Sequence, residues 1–553
     1  MGLKGEYATL LEWDYLLDET IDNPFTIELT VAITTPSQKL YKIPAFYRGD
    51  SRWSVRFLPK EIGLHKVVTI SNLDLLNGIT KTLEVTASSK AYPRELRLSR
   101  NKRYLIDEDE KPFFWLSDTW WMALSSRLDF ETFKELARKR KEQGFSVIQL
   151  VAGLFPDMDS FDERGANSKG FPWSDGYASI NPDYFDEADK KILYLLEEGF
   201  TLCILGSWGY YLKKMGVEKM QQHWRYIIAR WGAYPIVWCL AGEATMPYYL
   251  SCNREKEERE LQEGWQKVAK YIRKIEPFGN LLTLHPMQSS LFEIDASLID
   301  INLLQASHNG YESVAKGVEL LRRTRGKIPT IMDEINYEGI LRNTHDQVQR
   351  LSFWASLLSG SCGFGYGANG IWQVNRVGAP FGASPNGANW GNTPLERAIN
   401  FEGAKQLGEA KRFLEQFAWQ ELEPMRESIE PKVPKSDPSA PYVAGIGKEL
   451  RIAYFYNPIA PWDIRYIFTN LEPNGVYEIS FWDPQNFLTL QEEYLVANSE
   501  GKLQMPLPPS LDDWVLVVQR CLEEREAKAL PLQSELLKRI KKRLKSLLRK
   551  SLF

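Results

Sequence analysis

Pro235-Ile-Val-Trp-Cys-Leu-Ala-Gly-Glu243 is an almost wholly apolar run that ends in one glycine and one carboxylic acid. A short apolar run bounded by Pro and Gly reads as a parallel strand covered on both faces. An acid where such a strand ends sits at the rim of a sheet or barrel, where α/β folds keep their chemistry. The pattern returns at Pro329-Thr-Ile-Met-Asp-Glu334. Two strands therefore each deliver a glutamate to a C-terminal edge.

Outward from these runs, residues 93–422 alternate strand and helix patterns in eight units. Strands are expected at 113–121, 146–152, 200–208, 235–243, 280–285, 299–308, 329–334 and 363–372, with helical patterns at 129–143, 256–275, 311–323 and 395–417 among them. Eight such units over roughly 330 residues predict a (β/α)8 TIM barrel rather than an open doubly wound sheet. No G-x-G-x-x-G follows the first strand, which agrees with a barrel. The expected C-terminal rim gathers Asp118, Trp120, Trp121, Gln149, Trp208, Glu243, His285, His308, Glu334, Tyr337, Tyr366 and Trp372. Rings for stacking, with acids and amides for hydroxyls, are what a sugar pocket requires.

Glu243 and Glu334 lie 91 residues apart, three βα units, which sets them on opposing sides of that pocket. Cleavage of a glycosidic bond needs such a pair: one carboxylic acid protonates the leaving oxygen, and the other attacks the anomeric carbon or directs water at it. A separation of about 5 Å implies retention of configuration and roughly 7–9 Å inversion. The charge of Glu334 is expected to help keep Glu243 protonated. Strand alternation turns Asp333 away from the barrel axis, a structural position. Glu338 is read as a substrate contact or a group supporting one. The five histidines, His65, His223, His285, His308 and His345, form neither H-x-H nor H-E-x-x-H, so no metal and no cofactor is expected.

Residues 1–92 read as an N-terminal β-sandwich, with Phe25, Ile27, Leu29, Val31 and Ile33 alternating against more polar neighbours. A proline-rich linker and a second small β-sandwich follow over 423–520. Lys538 to Lys550 carries eight Lys or Arg and no acid, with Leu537, Ile540, Leu544, Leu547 and Leu548 at helical spacing. Residues 521–553 thus read as a basic amphipathic helix for a membrane surface or a protein partner.

The remaining composition excludes more than it assigns. With a net charge of -4, no nucleic-acid partner is expected. Five scattered cysteines without a C-x-x-C pair argue against a zinc site and a disulfide framework. The N-terminus lacks the apolar core of a signal peptide and no run approaches eighteen apolar residues, so the expected location is cytoplasmic, or peripheral at a membrane. Eighteen Trp exceed what a core alone calls for.

Four motifs carry a resemblance: Phe113-Phe-Trp-Leu-Ser-Asp-Thr-Trp120, Gly144-Phe-Ser-Val-Ile-Gln149, Arg230-Trp-Gly-Ala-Tyr-Pro235 leading into Trp238-Cys-Leu-Ala-Gly-Glu243, and Asp333-Glu-Ile-Asn-Tyr-Glu-Gly339. In their order they resemble the apiosidase-like (β/α)8 glycoside hydrolases. Asp22-Asn-Pro-Phe25 is similar to the β-sandwich that often precedes that barrel, and Phe481-Trp-Asp-Pro484 to the collagen-binding-type β-sandwich that often follows it. The resemblance implies a carbohydrate substrate, with Glu243 as acid/base on strand four and Glu334 as nucleophile on strand seven of a retaining enzyme. Gly242 stands where the wider clan commonly has Asn, so that residue's sugar contact does not carry over. The rival reading is a non-catalytic glycan-binding or scaffold protein on the same barrel.

Overall fold

The computed structural model describes the chain except for residues 1, 20, 90–94, 342–343, 433–439, 457–464 and 522–553. Eight strands form its central sheet: β1 (Trp115–Thr119), β2 (Val147–Val151), β3 (Thr201–Leu205), β4 (Val237–Gly242), β5 (Leu281–His285), β6 (Asn302–Gln305), β7 (Thr330–Glu334) and β8 (Gly363–Tyr366). They pair in parallel in the order β5-β4-β3-β2-β1-β8-β7-β6. The two ends of this order meet, because Thr283 Oγ1 donates to the Ile301 carbonyl at 2.8 Å and Ser289 bridges Leu304. The result is the expected TIM-type barrel, whose strands are buried along their length as a parallel sheet covered by helices must be.

The helices include α1 (Phe130–Glu142), α2 (Pro182–Glu197), α3 (Val217–Trp231), α4 (Arg254–Ile275), α5 (Tyr311–Thr324), α6 (Asp346–Leu357) and α7 (Glu402–Leu414). Local chemistry sets their starts: the Asp129 carboxylate caps α1 by accepting from the Thr132 N–H at 3.0 Å, and Pro182 opens α2. α6 is absent from the sequence reading. Leu351, Phe353, Trp354 and Ala355 are all buried there, and apolar residues on more than one side blur the one-faced helical period. β1 is shorter than expected, ending at Thr119, so Trp120 and Trp121 begin the following loop.

Two bulges matter for the site. The β4–β5 register shifts between Cys239 and Gly242, and the β6–β7 register shifts at Gln305, which pairs with Glu334 while Leu304 pairs with Met332. Asp333 is the extra residue in the second bulge, and such irregularities re-aim side chains at strand ends.

The chain divides into two compact units, one of residues 1–352 and 361–412, the other of 353–360 and the residues from 413 onward. In the first, sheets of five and three strands at the N-terminus enclose a core of Trp13, Val31, Ile33, Trp53, Val55 and Leu83. A buried ion cluster ties them to the barrel helices. Asp189 of α2 accepts from Arg56 Nη2 at 2.5 Å, from Arg230 of α3 at 2.8 and 3.0 Å, and from the Trp231 indole at 2.7 Å. The second unit holds antiparallel sheets of six and three strands around Ile479, Phe481, Trp514 and Leu516. The basic tail read as a helix lies outside the described residues, apart from Cys521. Among the described residues no helix is long and apolar enough to cross a membrane.

Candidate active site

At the C-terminal ends of the strands lies a cavity of about 330 Å³. Trp121, Asp157, Trp208, Glu243, Tyr249, Gln305, His308, Glu334, Tyr337, Trp372 and Trp390 line it, with Arg254, Met246 and Asn386 among the remaining residues.

Glu334 closes β7 and is held by three hydrogen-bond donors, with the His285 ring beside it. Its Oε1 accepts from Gln305 Nε2 at 2.9 Å and lies 3.1 Å from His308 Nε2; its Oε2 accepts from the Tyr337 hydroxyl at 2.5 Å and lies 3.1 Å from His285 Nε2. The Tyr337 N–H donates to His308 Nδ1, which leaves the ring proton on Nε2, facing the acid. Burial pushes the Glu334 carboxyl up, but the bonds and charges of His285 and His308 outweigh it and hold the group well below the usual carboxylate range. His285 sits between two carboxylates, with Nδ1 3.1 Å from Asp333 Oδ2. Burial disfavours its charge, yet Asp333 and Glu334 raise it well above an ordinary imidazole.

Glu243 follows β4 in the left-handed region, φ 44°, a conformation that costs about 1 kcal/mol or more for a side chain of this kind. Its neighbour must be glycine: a Cβ on Gly242 would lie 2.3 Å from the Trp208 indole, which packs flat against that backbone. Glu243 has two donors, Trp208 Nε1 at 3.2 Å on Oε2 and Gln305 Nε2 at 3.0 Å on Oε1. Burial, and then the charge of Glu334, push its carboxyl up to about 7.

Gln305 therefore donates from one nitrogen to both acids. One nitrogen bonded at 3.0 and 2.9 Å keeps the two Oε1 atoms less than about 6 Å apart, and at about 5 Å where both bonds lie along the diverging amide hydrogens. Rings complete the walls. Trp121 meets Trp208 edge-on at 5.6 Å and His285 at 5.4 Å, while the ring of Tyr337 fills the space over Gly367, where a Cβ would lie 2.5 Å from it.

Of the residues expected at the rim, Trp121, Trp208, Glu243, His308, Glu334, Tyr337 and Trp372 line the cavity, and His285 and Gln149 lie beneath it. Three lie elsewhere. Alternation along β1 turns Asp118 outward, where its carboxylate binds Arg140 Nε at 2.6 Å and the Trp120 indole at 2.8 Å. Trp120 packs on Phe133 of α1. Tyr366 faces the helix layer as well, under the Arg140 guanidinium, and donates to Glu338 at 2.7 Å; Glu338 in turn caps Gly403 rather than reaching the cavity. Asp333 is the opposite correction. The bulge turns it inward, where it accepts from Gln149 of β2 and faces His285 of β5.

The sequence reading missed Gln305, Asp157, Tyr249 and Trp390. Asn302-Leu-Leu-Gln305 did carry a signal, an apolar strand ending in a polar group, as β4 and β7 end. Asp157 and Trp390 stand on irregular loops with no periodicity to read. Asp157 accepts from Ser384 and from the Trp390 indole at 3.4 Å, and burial raises its carboxyl. Among the described residues no group of three or more His, Cys, Asp or Glu side chains has the arrangement of a metal site.

A barrel with paired carboxylates and aromatic walls at its C-terminal rim is the architecture of a glycoside-hydrolase-type protein. The model "Apiosidase-like, catalytic domain" matches residues 99–421, and the chain belongs to that family. A domain of unknown function, DUF5060, matches residues 9–72. No curated protein matches. Among solved structures, one described as a glycoside hydrolase is 21% identical, covering 78% of this chain and 98% of its own, with a TM-score of 0.63. A glycoside hydrolase family 5 protein from Bacteroides vulgatus ATCC 8482 is 22% identical over 78% and 95%, with a TM-score of 0.63. A second protein from that organism, described as a candidate glycoside hydrolase, is 16% identical over 94% and 100%, with a TM-score of 0.68. At these identities the likeness is one of fold.

Proposed function

We propose that the chain hydrolyses O-glycosidic bonds of an oligo- or polysaccharide with retention of configuration. Glu334 attacks the anomeric carbon while Glu243 protonates the departing oxygen. The covalent glycosyl-enzyme is then opened by water, with Glu243 acting as base. The observation that carries this reading is the Gln305 bridge, since a separation of about 5 Å leaves room for direct attack and none for an intervening water. The environments divide the labour. Glu334, among three donors and the charged His285, stays ionised, whereas Glu243 keeps a proton to about pH 7.

In this reading Trp121, Trp208, Trp372 and Trp390 are stacking surfaces for pyranose or furanose faces, and His308, Tyr337 and Asp157 meet hydroxyls. Gln149, Asp333 and His285 form the support below Glu334. The test is sugar release from a panel of aryl glycosides and of plant and bacterial polysaccharides, comparing the wild type with Glu243→Gln and Glu334→Gln. Activity lost in both folded variants supports the pair and names the sugar. Activity that survives both changes removes these acids from the mechanism.

A further inference from the structure

The amide of Gln305 is built into the site by the β6–β7 bulge, which sets it opposite Glu334 rather than Asp333. Its nitrogen has both hydrogens committed, one to each acid. Its own oxygen is buried and has no hydrogen-bond partner among the described residues. The reversed amide would aim that oxygen at an ionised Glu334 and forfeit both bonds, so the orientation follows from the charges around it. We propose that Gln305 is a positioning residue that couples the two acids: its single nitrogen sets their spacing, and by occupying Oε1 of Glu243 it leaves the transferable proton on Oε2. Oε2 is the oxygen beside the Trp208 indole at the cavity wall. This inference rests on the hydrolase reading above and adds a residue to it.

The other titratable or charged groups around Glu243 are Glu334 on β7, His285 on β5, Asp157 after β2, Tyr249 after β4, Glu293 after β5 and Arg254 at the start of α4. Among the described residues the Glu243 carboxylate has no hydrogen-bond donor besides Gln305 and the more distant Trp208. Removing the Gln305 donor therefore destabilises ionised Glu243 strongly. Glu334 keeps His285, His308 and Tyr337 and changes less. The two acids should respond unequally to one substitution.

The experiment uses the full chain with Gln305→Met, close to isosteric but without a donor. Glu243 is titrated by difference infrared spectroscopy of its carboxyl band, assigned with Glu243→Gln, on protein alone. The pH profile of kcat/KM is then measured on the aryl glycoside that the panel identifies. The expected result is a Glu243 midpoint and alkaline limb about one pH unit higher, with the acid limb moved by less. On the same substrate kcat should fall about 10²-fold with KM little changed. An unmoved midpoint overturns the proposal even if kcat falls, because it reduces Gln305 to a space-filling or sugar-binding role. Should Gln305→Met not fold, Gln305→Asn, one methylene short, must move the midpoint in the same direction, and an unmoved midpoint there overturns the proposal equally. The infrared result does not depend on substrate, so failure of the bridge is distinguishable from failure of the hydrolase reading, which shows as glycoside turnover indifferent to Glu243→Gln and Glu334→Gln.

Discussion

The first unit buries carboxylates both on the outer face of the barrel and at its rim, and treats them differently. On the outer face of the barrel, Asp189 is met by two guanidinium groups and an indole. Burial works against its charge, but the charges of Arg230 and Arg56 overcome it and hold the group well below the usual range. At the rim, Glu243 has two neutral donors and a neighbouring anion, and its carboxyl rises to about 7. The same functional group is a fixed ion in one place and a carboxyl that holds its proton to about pH 7 in the other, according to whether cations face it. The cluster at Asp189 runs outward through Arg56 and Arg230 to Glu12 and Asp186. The acids at the rim face a cavity, and in the second of them the strand end is bulged to aim them there.

This contrast can be broken from either side. The largest effect should come from Glu334→Gln, which is expected to lower kcat by about 10⁴-fold or more while thermal unfolding stays near that of the wild type. Next, Asp189→Asn removes the buried counter-ion that Arg56 and Arg230 share and leaves them only the half-exposed Glu12 and Asp186, and should cost about 3 kcal/mol in denaturant unfolding of the first unit. The folded fraction should retain its kcat. The lowered carboxyl of Asp189 contributes its stability above the unfolded range, so the gap between variant and wild type should close below about pH 4.

A smaller effect concerns pH. The alkaline limb of kcat/KM should fall near pH 7, where Glu243 loses its proton, and Glu243→Gln should abolish that limb in the residual activity. The smallest is a gain. The raised carboxyl of Glu243 withdraws stability as pH climbs from the unfolded glutamate range to about 7. Above that pH, Glu243→Gln should unfold later than the wild type by about 1 kcal/mol, and the difference should vanish near pH 4. An equal effect at both pH values would contradict the assignment of Glu243 as the strained, proton-carrying acid.

How much of this was legible beforehand follows from the kind of signal each residue left. Buried parallel strands write themselves as apolar runs, so the eight-stranded order and the two glutamates closing β4 and β7 could be read from Pro235–Glu243 and Pro329–Glu334. Period-2 reasoning holds on one strand and fails on another. Applied within β1 it would have turned Asp118 outward to Arg140, where it lies. Applied to β7 it wrongly turned Asp333 outward, because a bulge that no local pattern announces inserts one residue. Asp157 and Trp390 come to the cavity on loops whose paths depend on tertiary contacts such as the bond from Ser384, and those contacts leave no periodicity behind.

The most direct measurement is the anomeric configuration of the first sugar released, followed by proton NMR before mutarotation on the aryl glycoside that the enzyme turns over. With the two acids bridged by the single Gln305 nitrogen, too close for an intervening water, the product should appear with the configuration of the substrate. An inverted first product would contradict direct attack by Glu334.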